Sequence, residues 1–499
     1  MLRAKSVERE HTGMEANQAA VPPTRRIRTP IMLAYGFGTV AYGVKDFCFS
    51  TFLLFFFNQV LGLPATEVGF AIMCALLLDA VADPAIGFLS DRTRSRWGRR
   101  HPWMYASAIP IAIGWLLLWN PPALSHGGML LWVFAMSVLV RTAVSAYEVP
   151  SQALTPELSA DYEERTRIMA YRFLFGWAGG LGMMILAYAW LLGPTPGHPN
   201  GQLVRENYPG FALASALLMV FAILVSAAGT HGEIKRLPRA EATKRQSLGK
   251  HFAELGETVR NRAFLILMAA GLCYYSAQGV SFALSSYLYA HVWRFEGQDF
   301  TIIAFSLLVG AFFAFLLAPR ISRRIGKPRA ATWLMAAAAF WVALPYVLRL
   351  IGAFPEPGSP WLLPSLFAIY AANVTCSIAA TILGSSMMAD VVEQSEIETG
   401  RRNEGVFFAG AFFIQKCCSG LGIWATGLLL DLVDFPAAAR PGQVPLATVD
   451  RLTVLFFVLY GVLAFAAAGF YRFFPFGKAE HEARVAALAG RSTEMSAEG

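Results

Sequence analysis

The sequence predicts an all-α membrane protein whose twelve transmembrane helices form two pseudo-symmetric six-helix bundles. Three observations lead to this prediction. First, 56% of the 499 residues are hydrophobic and only 15% are charged, whereas a soluble protein carries about 25% charged residues. Second, the apolar residues gather into stretches that match the roughly 20 residues of a membrane-spanning helix. Third, short motifs recur in the second half of the chain at an offset of roughly 230 residues.

The apolar stretches are separated by polar connections. Their approximate bounds are 31–57, 67–90, 102–120, 128–154, 168–192, 210–230, 263–292, 300–320, 330–350, 361–388, 405–431 and 452–474. Arginine and lysine concentrate in alternate connections, namely 92–100, 235–250 and 320–329. The positive-inside rule places these connections in the cytoplasm. Because the number of spans is even, we expect both termini there too, in a multi-pass protein of the cytoplasmic membrane.

The longest polar connection divides the chain into two halves. We expect a cytoplasmic N-terminal tail at 1–30, a six-helix bundle at 31–230, a cytoplasmic central loop at 231–262, a second six-helix bundle at 263–474 and a cytoplasmic C-terminal tail at 475–499. The halves echo each other, since Gly98–Pro102 (GRRHP) resembles Gly326–Pro328 (GKP), and each opens the third helix of its half. Duplicated six-helix units place their binding site between the halves, near the membrane midplane.

The composition also excludes several classes of partner. The net charge of +8 comes from short loops, and the positive-inside rule explains it without nucleic acid. The six cysteines lie in apolar stretches without the spacing of a zinc site or a disulfide framework. We therefore expect no metal centre and no cofactor. We expect that the polar N-terminus is not a cleavable signal peptide.

Two carboxylates interrupt the second apolar stretch. Asp79 and Asp83 are four residues apart, which places them one turn apart on one face of a helix. A carboxylate at the centre of a membrane helix costs about 2.5–3.5 kcal/mol on insertion scales. Two ionised carboxylates repel each other, so one must take a proton, meet a lysine or bind a cation such as Na⁺. The pair predicts a cation site, and permanent pairing with bases is the structural alternative.

Further ionisable residues lie inside the apolar stretches. They are Lys45 and Asp46 in the first, Arg141 and Glu148 in the fourth, Arg172 in the fifth and Lys416 in the eleventh. With the two aspartates they make four carboxylates and four basic groups, a near-neutral set. For Glu148 and Lys416 we favour a functional role, because such residues are costly inside a membrane. Lys45 and Arg141 are explained as well by structural pairing or snorkelling.

Several motifs resemble those of the melibiose permease family, the glycoside–pentoside–hexuronide:cation symporter branch of the major facilitator superfamily. They are YGFG near the start, D-x-x-x-D-P-x-x-G-x-x-x-D-R-T-R-S-R-W-G-R-R-x-P-W from Asp79 to Trp103, Y-E-V-P before helix 5, and a helix 11 lysine fourteen residues beyond Arg402. The resemblance covers about residues 31–430. Animal lysolipid symporters related to the family share the helix 2 acids, so the motif indicates cation coupling more than substrate.

The resemblance implies roles for individual residues. Asp79 and Asp83 match cation ligands, and Glu148 matches an acid that serves both cation and sugar, with Ser145 one turn before it. Arg172 matches a sugar contact and Lys416 a neighbour of the cation site. The predicted cytoplasmic gate consists of Asp91, Arg165, Asp390 and Arg402. For the acidic runs after helices 4 and 10, which contain Arg165, Asp390 and Arg402, a solvated loop is an equally good explanation.

The sequence departs from the family pattern around the sugar. Alignment on YGFG puts the helix 1 sugar aspartate of the family at Gly43, with Asp46 three residues further along. Two tryptophans that the melibiose carriers place by the sugar are Gln152 and Thr381 here. The predicted substrate-binding residues are therefore Asp46, Glu148, Gln152, Arg172, Lys416 and Thr381.

These observations predict a secondary active symporter that moves a sugar or glycoside inward with Na⁺ or H⁺ as a monomer in the lipid bilayer. One alternative is a cation-coupled carrier of a non-sugar amphiphile such as a lysolipid. A transporter-like membrane sensor is a remoter one, since both tails look too short for a signalling domain. An enzyme is not expected, because the sequence has no metal-ligand histidine motif and no nucleophile elbow.

Overall fold

The computed structural model describes residues 27–159, 161–234, 261–399 and 404–475. Within these ranges it is all-helical apart from one isolated β-bridge. The helices are α1a (Thr29–Phe37), α1b (Val40–Phe55), α2 (Ala65–Arg92), α3 (His101–Trp119), α4 (His126–Leu158), α5 (Tyr162–Leu186), α6 (Tyr208–His231), α7 (Arg262–Tyr287), α8 (Asp299–Ile325), α9 (Lys327–Leu350), α10 (Leu362–Thr399), α11 (Glu404–Leu432) and α12 (Leu446–Arg472). Taking α1a and α1b together, twelve are long and apolar enough to cross a membrane, which confirms the predicted all-α membrane fold.

Local sequence signals explain where the helices begin. Asp161 accepts a hydrogen bond from the backbone N–H of Glu164 at the start of α5, and Asn261 caps α7 in the same way. Proline stands in the first turn of α3 and of α9, where its missing N–H costs nothing. Gly98 and Gly326, in the echoed motifs before these two helices, have φ of +74° and +82°, a conformation that favours glycine.

Two helices are longer than the apolar stretches that predicted them. α4 ends at Leu158 rather than 154, and α10 ends at Thr399 rather than 388. Both continue into acidic runs, because a helix satisfies its own backbone hydrogen bonds and needs no apolar side chains outside the hydrocarbon. Most of the predicted central loop and both predicted tails lie outside the described residues.

The bundle has two ends, which we name by where its first helix begins and its last helix ends. The terminal face is the end where α1a begins and α12 ends, and the distal face is the opposite end. Contacts between helices 1–6 and helices 7–12 include α2 with α11, α1b with α7, and α5 with α8. Large apolar side chains such as Leu131, Phe312 and Trp333 are exposed on the outside, as expected of a surface that faces lipid.

Glycines allow α2 and α11 to approach closely across the two halves. A Cβ built on Gly427 would lie 2.5 Å from the carbonyl oxygen of Ala65, and one on Gly69 would lie 3.1 Å from that of Ile423. Gly420 packs against Met73 and Leu76 in the same way. Small residues at a helix interface let two backbones come together in a membrane, and here they hold the acid-bearing helix against α11.

Hydrogen bonds also join the halves at the distal face. The Gln59 amide donates to the carbonyl of Pro436 (3.2 Å) and accepts from the N–H of Ala439 (3.1 Å), both in the loop between α11 and α12. The neighbouring Asn58 accepts a hydrogen bond from the Tyr287 hydroxyl of α7 (2.9 Å). We call these contacts of Asn58 and Gln59 the distal latch.

Candidate cation and substrate site

Asp79 is the most deeply buried carboxylate among the residues whose burial the structure describes. It is 3% exposed and has bonds on both oxygens. Ser145 donates to Oδ1 (2.9 Å), while Arg141 contacts Oδ2 through Nε and Nη2 (3.0 and 2.9 Å). Lys416 of the other half approaches Oδ2 to 2.9 Å. Two bases and a hydroxyl therefore compensate this buried charge, as burial requires.

Asp83, one turn along α2, shares Lys416 with Asp79. The Lys416 ammonium donates to its Oδ2 at 2.5 Å. Because Lys416 lies on α11 and the aspartates on α2, this ammonium is a bridge between the two halves of the molecule. It stands between the two carboxylates, where a small cation would have to bind if it contacted both.

Glu148 forms a second centre with a buried arginine. Its Oε1 accepts from Arg172 Nη2 (2.8 Å) and from Gln152 Nε2 (2.9 Å). Arg172 also donates to the Ser151 hydroxyl (2.7 Å) and lies over the ring of Tyr35. Three residues of the predicted substrate set, Glu148, Gln152 and Arg172, thus come together in one hydrogen-bonded group.

Two buried carboxylate oxygens have no hydrogen-bond partner among the described residues. They are Asp83 Oδ1 and Glu148 Oε2. α2 and α4 run in the same direction through the bundle. Asp83 lies one helical turn after Asp79 on α2, and Glu148 lies one helical turn after Ser145 on α4. The two oxygens therefore lie at a similar depth, one turn beyond the Ser145–Asp79 hydrogen bond.

Unpaired carboxylate oxygens are suitable ligands for a hard cation and are costly when buried alone. In this arrangement, however, no group of three or more His, Cys, Asp or Glu side chains in the described ranges is close enough to hold a metal ion. With Lys416 between the aspartates, the acids do not converge on one point.

Asp46 is the most exposed carboxylate of the cluster, with 39% of its side chain exposed, and its contact with Lys45 is a long 3.3 Å. The family position at Gly43 cannot carry an acid in this chain, since a Cβ there would lie 1.9 Å from the Gly176 carbonyl oxygen on α5. The close packing of α1b on α5 thus explains why the acid is found one turn further along.

The sequence left structural pairing and a functional role as equally good explanations of Arg141. The structure shows the pairing, because the Arg141 guanidinium bonds directly to the Asp79 carboxylate. The signal that could have identified it was already present, since an arginine in the middle of an apolar helix needs a buried anion.

Three of the predicted gate residues, Asp91, Arg165 and Asp390, lie towards the terminal face. Asp91 pairs with Arg100 (2.5 Å), Arg165 donates to the Ser159 carbonyl (2.6 Å), and Asp390 accepts from Lys327 (2.7 and 2.8 Å). These particular bonds each stay within one half. Arg402 lies outside the described residues, and the gate itself stays a prediction.

A cavity of about 130 Å³ lies between the charged cluster and the distal face, with lining residues from α1b, α5, α7, α8, α9, α10 and α12. Thr381, a predicted substrate residue on α10, donates to the Ser377 carbonyl of its own helix, and Ser377 lines this cavity. No sequence pattern predicted the cavity, because its lining residues are spread over seven helices.

Solved structures of similar fold include membrane transporters. A bacterial homologue of the human drug peptide transporters PepT1 and PepT2 matches with a TM-score of 0.60 at 14% identity, covering 89% of this chain and 96% of that chain. The xylose transporter XylE from E. coli, in a partially occluded inward open conformation, matches with a TM-score of 0.59 at 12% identity, covering 90% and 99%. At these identities the likeness concerns the fold alone.

The chain belongs to the MFS/sugar transport protein family, whose sequence profile matches residues 34–478. An uncharacterized symporter, sll1374, of Synechocystis is 27% identical over 525 residues, covering 90% of this chain and 94% of that protein. The putative glycoside/cation symporter YagG of Escherichia coli is 26% identical over 431 residues (86% and 88%). The sodium-dependent lysophosphatidylcholine symporter 1-A of Danio rerio is 24% identical over 463 residues (87% and 83%). The predicted symporter family is confirmed, and with it the expectation of a transporter rather than an enzyme.

Proposed function

We propose that the protein is a secondary active symporter that moves a sugar or glycoside into the cell with Na⁺ or H⁺. The terminal face is then cytoplasmic, as the distribution of arginine and lysine predicts, and the membrane is the cytoplasmic (inner) membrane. A monomer is sufficient, since both halves and the whole cluster belong to one chain. The observation that carries the proposal is the acid cluster of α2 and α4, which contains two buried carboxylate oxygens without partners.

The cation site consists of Asp79, Asp83 and Glu148, with Ser145 as a neutral ligand. A cation that enters here competes with the Lys416 ammonium for the aspartates. Its binding releases the bridge between α2 and α11, so the occupancy of the site and the relative position of the halves become linked. A proton on Asp83 would weaken the same bridge by removing the negative charge.

The substrate site lies beside the cation site. Arg172 and Gln152 donate hydrogen bonds, Asp46 is accessible for a sugar hydroxyl, and Glu148 connects the two sites because it belongs to both. Lys416 and Thr381 contribute from the second half. Alternating access is proposed to be a rocking of one half against the other around this region, with Asp91, Arg165, Asp390 and Arg402 closing the cytoplasmic side.

The experiment is uptake of a panel of labelled sugars and glycosides into proteoliposomes, each with an imposed Na⁺ gradient, an imposed H⁺ gradient or neither. The wild type should accumulate at least one sugar above its external concentration under one gradient. Asp79→Asn and Asp83→Asn should abolish accumulation. The matched control is Asp450→Asn, which removes a carboxylate paired with Arg349 in a more exposed place. Unchanged accumulation in both cluster variants would refute the cation assignment.

A lysolipid is the second candidate substrate. It is favoured by the similarity to the sodium-dependent lysophosphatidylcholine symporter and by Gln152 and Thr381, which stand where melibiose carriers have tryptophans. Competition of the labelled substrate by lysophosphatidylcholine, without competition by any sugar, would select this alternative. Competition by sugars alone would exclude it.

A further inference from the structure

Arg141 places a permanent positive charge directly on Asp79. Its side chain is 3% exposed, and the guanidinium contacts Asp79 Oδ2 through Nε (3.0 Å) and Nη2 (2.9 Å). The same guanidinium lies 5.2 Å from the centre of the buried Phe49 ring, which is a favourable contact for this cation. Because arginine stays protonated in proteins, the charge at Asp79 is part of the protein and does not depend on the ions in solution.

Donors already surround the carboxylate of Asp79. A carboxylate has about two lone-pair sites on each oxygen. Arg141 and Lys416 both contact Oδ2, and the Ser145 hydroxyl donates to Oδ1 (2.9 Å). A Na⁺ ion that displaced Arg141 would leave a buried guanidinium without the acid it bonds to, which is strongly unfavourable. A Na⁺ ion that displaced Lys416, or bound at Oδ1, would lie close to the buried guanidinium, which repels it.

The acids and bases of the bundle interior balance each other without an added ion. Each acid contacts at least one base, and the four acids and four bases are Asp46, Asp79, Asp83, Glu148, Lys45, Arg141, Arg172 and Lys416. A Na⁺ ion would add a positive charge without a counter-charge to this set, and such a charge is costly in the interior. A neutral residue in place of Arg141 would reverse the balance, because three bases would then face four acids.

The two unpaired carboxylate oxygens do not by themselves make a site for Na⁺. Asp83 Oδ1 and Glu148 Oε2 lack partners among the described residues, but hard cations take several oxygen ligands. Within the described ranges, no third acidic side chain converges with them on one point. Asp79 would be the natural third ligand, and Arg141 occupies it.

We propose that Arg141 takes the place of an alkali cation at Asp79 and prevents the protein from binding Na⁺. This inference rests on the proposed function and narrows it, since Na⁺ is excluded and H⁺ is left of the two coupling ions. Arg141 is then the residue that determines ion specificity. A neutral side chain at this position should create a Na⁺ site, because Asp79 would have a free oxygen beside the Ser145 hydroxyl and the interior would carry an excess negative charge.

The test is thermal unfolding of the purified full-length protein in NaCl and in choline chloride at equal ionic strength. The wild type should have the same melting temperature in both salts. Arg141→Met and Arg141→Gln should each melt about 2 °C or more higher in NaCl, because an ion that binds only the folded state stabilises it. Arg141→Gln is included because its amide can still donate a hydrogen bond to Asp79, so this variant should fold more readily than Arg141→Met.

Three control variants assign the effect to the missing charge at Asp79. Arg141→Lys keeps a positive charge at this position and should melt at the same temperature in both salts. Arg141→Gln combined with Asp79→Asn lacks the acid and should lose the stabilisation by Na⁺. Arg349→Met removes the base of the more exposed pair with Asp450 and should not respond to Na⁺ either.

Two results would overturn the proposal. One is a higher melting temperature of the wild type in NaCl, because Na⁺ would then bind with Arg141 in place. The other is the absence of any stabilisation by Na⁺ in both neutral variants, whether they melt alike in the two salts or cannot be recovered folded in either.

A failure of the proposed function has a different signature. Neither a Na⁺ gradient nor an H⁺ gradient would drive sugar accumulation by the wild type in proteoliposomes, while NaCl would still stabilise the neutral variants. Conversely, wild-type accumulation driven by a Na⁺ gradient at equal pH on both sides would retain the symporter and reject the proposed role of Arg141.

Discussion

Arg141 and Asp79 are a fully buried ion pair, and this pair determines how the acid cluster is held in the apolar interior. Both side chains are 3% exposed, and the Arg141 guanidinium contacts Oδ2 through two nitrogens. Removing one partner of a buried pair leaves the other charge uncompensated, which costs about 3–5 kcal/mol. Lys416 alone would then neutralise two aspartates.

Arg141→Met is therefore expected to destabilise the protein by about 3 kcal/mol or more, measured as a lowered midpoint of denaturant unfolding in detergent. Adding Asp79→Asn to the same chain should recover part of the loss, because the unpaired charge disappears. The control is Arg349→Met, which breaks the more exposed pair with Asp450 and should cost about 0–1 kcal/mol. Equal losses of stability in Arg141→Met and Arg349→Met would show that the buried pair contributes no more to stability than the exposed pair.

The pairing of α2 with α11 is the element that brings the two acids to Lys416. Its geometry depends on backbone-to-backbone contact at Gly427, where an added Cβ would meet the Ala65 carbonyl oxygen at 2.5 Å and Thr66 Cα at 2.8 Å. A backbone cannot move aside as the end of a side chain can, so a methyl group there must push the helices apart.

Gly427→Ala should lower stability by about 1–3 kcal/mol, the usual cost of overpacking, and should reduce cation-dependent uptake because Lys416 moves away from the aspartates. Gly182 provides the control, since it lies inside α5 with nothing within 4 Å of an added Cβ. Gly182→Ala should be neutral or stabilising by up to about 1 kcal/mol. Thermal unfolding and uptake measured on both variants distinguish local packing from a general effect of alanine.

The distal latch is a second element with a testable role. Gln59 satisfies one carbonyl and one N–H of the α11–α12 loop, and Ala438 in the same loop has φ of +53°, a conformation unusual for a residue with a side chain. Gln59→Leu leaves both backbone groups without their partner, so the distal face should open more often.

The readout is the labelling rate of Ser285→Cys, a cavity residue, by a membrane-impermeant thiol reagent applied from the distal side. The six native cysteines are replaced first. Gln59→Leu should raise the rate several-fold, whereas Gln202→Leu should not, because the Gln202 amide has no partner among the described residues. An unchanged labelling rate in Gln59→Leu would show that the distal latch does not keep the distal face closed.

At the scale of the whole molecule, hydropathy was enough to predict the number and type of helices, because the bilayer allows few ways to satisfy a backbone. The echo between Gly98 and Gly326 was also informative, and both glycines adopt the same left-handed conformation. The partners of each charge were less predictable, since Lys416 and Asp83 are 333 residues apart. The cavity left no sequence signal, because its lining residues are spread over seven helices.

Contacts between the two halves of the molecule connect the charged site to transport. Lys416 joins the halves at the charged cluster, and the latch joins them at the distal face, so both must change if the halves rock. We propose that the release of Lys416 depends on a cation at Asp83 and Glu148. A carrier built in this way moves charge only when the acid cluster can bind its ion.

The most direct measurement is the current produced when a transported sugar is added rapidly to proteoliposomes adsorbed on a solid-supported membrane, with Na⁺ present or at varied pH. For the wild type we predict a sugar-induced current that depends on Na⁺ or on H⁺ and carries positive charge inward. For Asp83→Asn we predict no steady current, although calorimetry still detects sugar binding. A current of wild-type size and ion dependence in Asp83→Asn would contradict the central claim that this acid cluster binds the coupling ion.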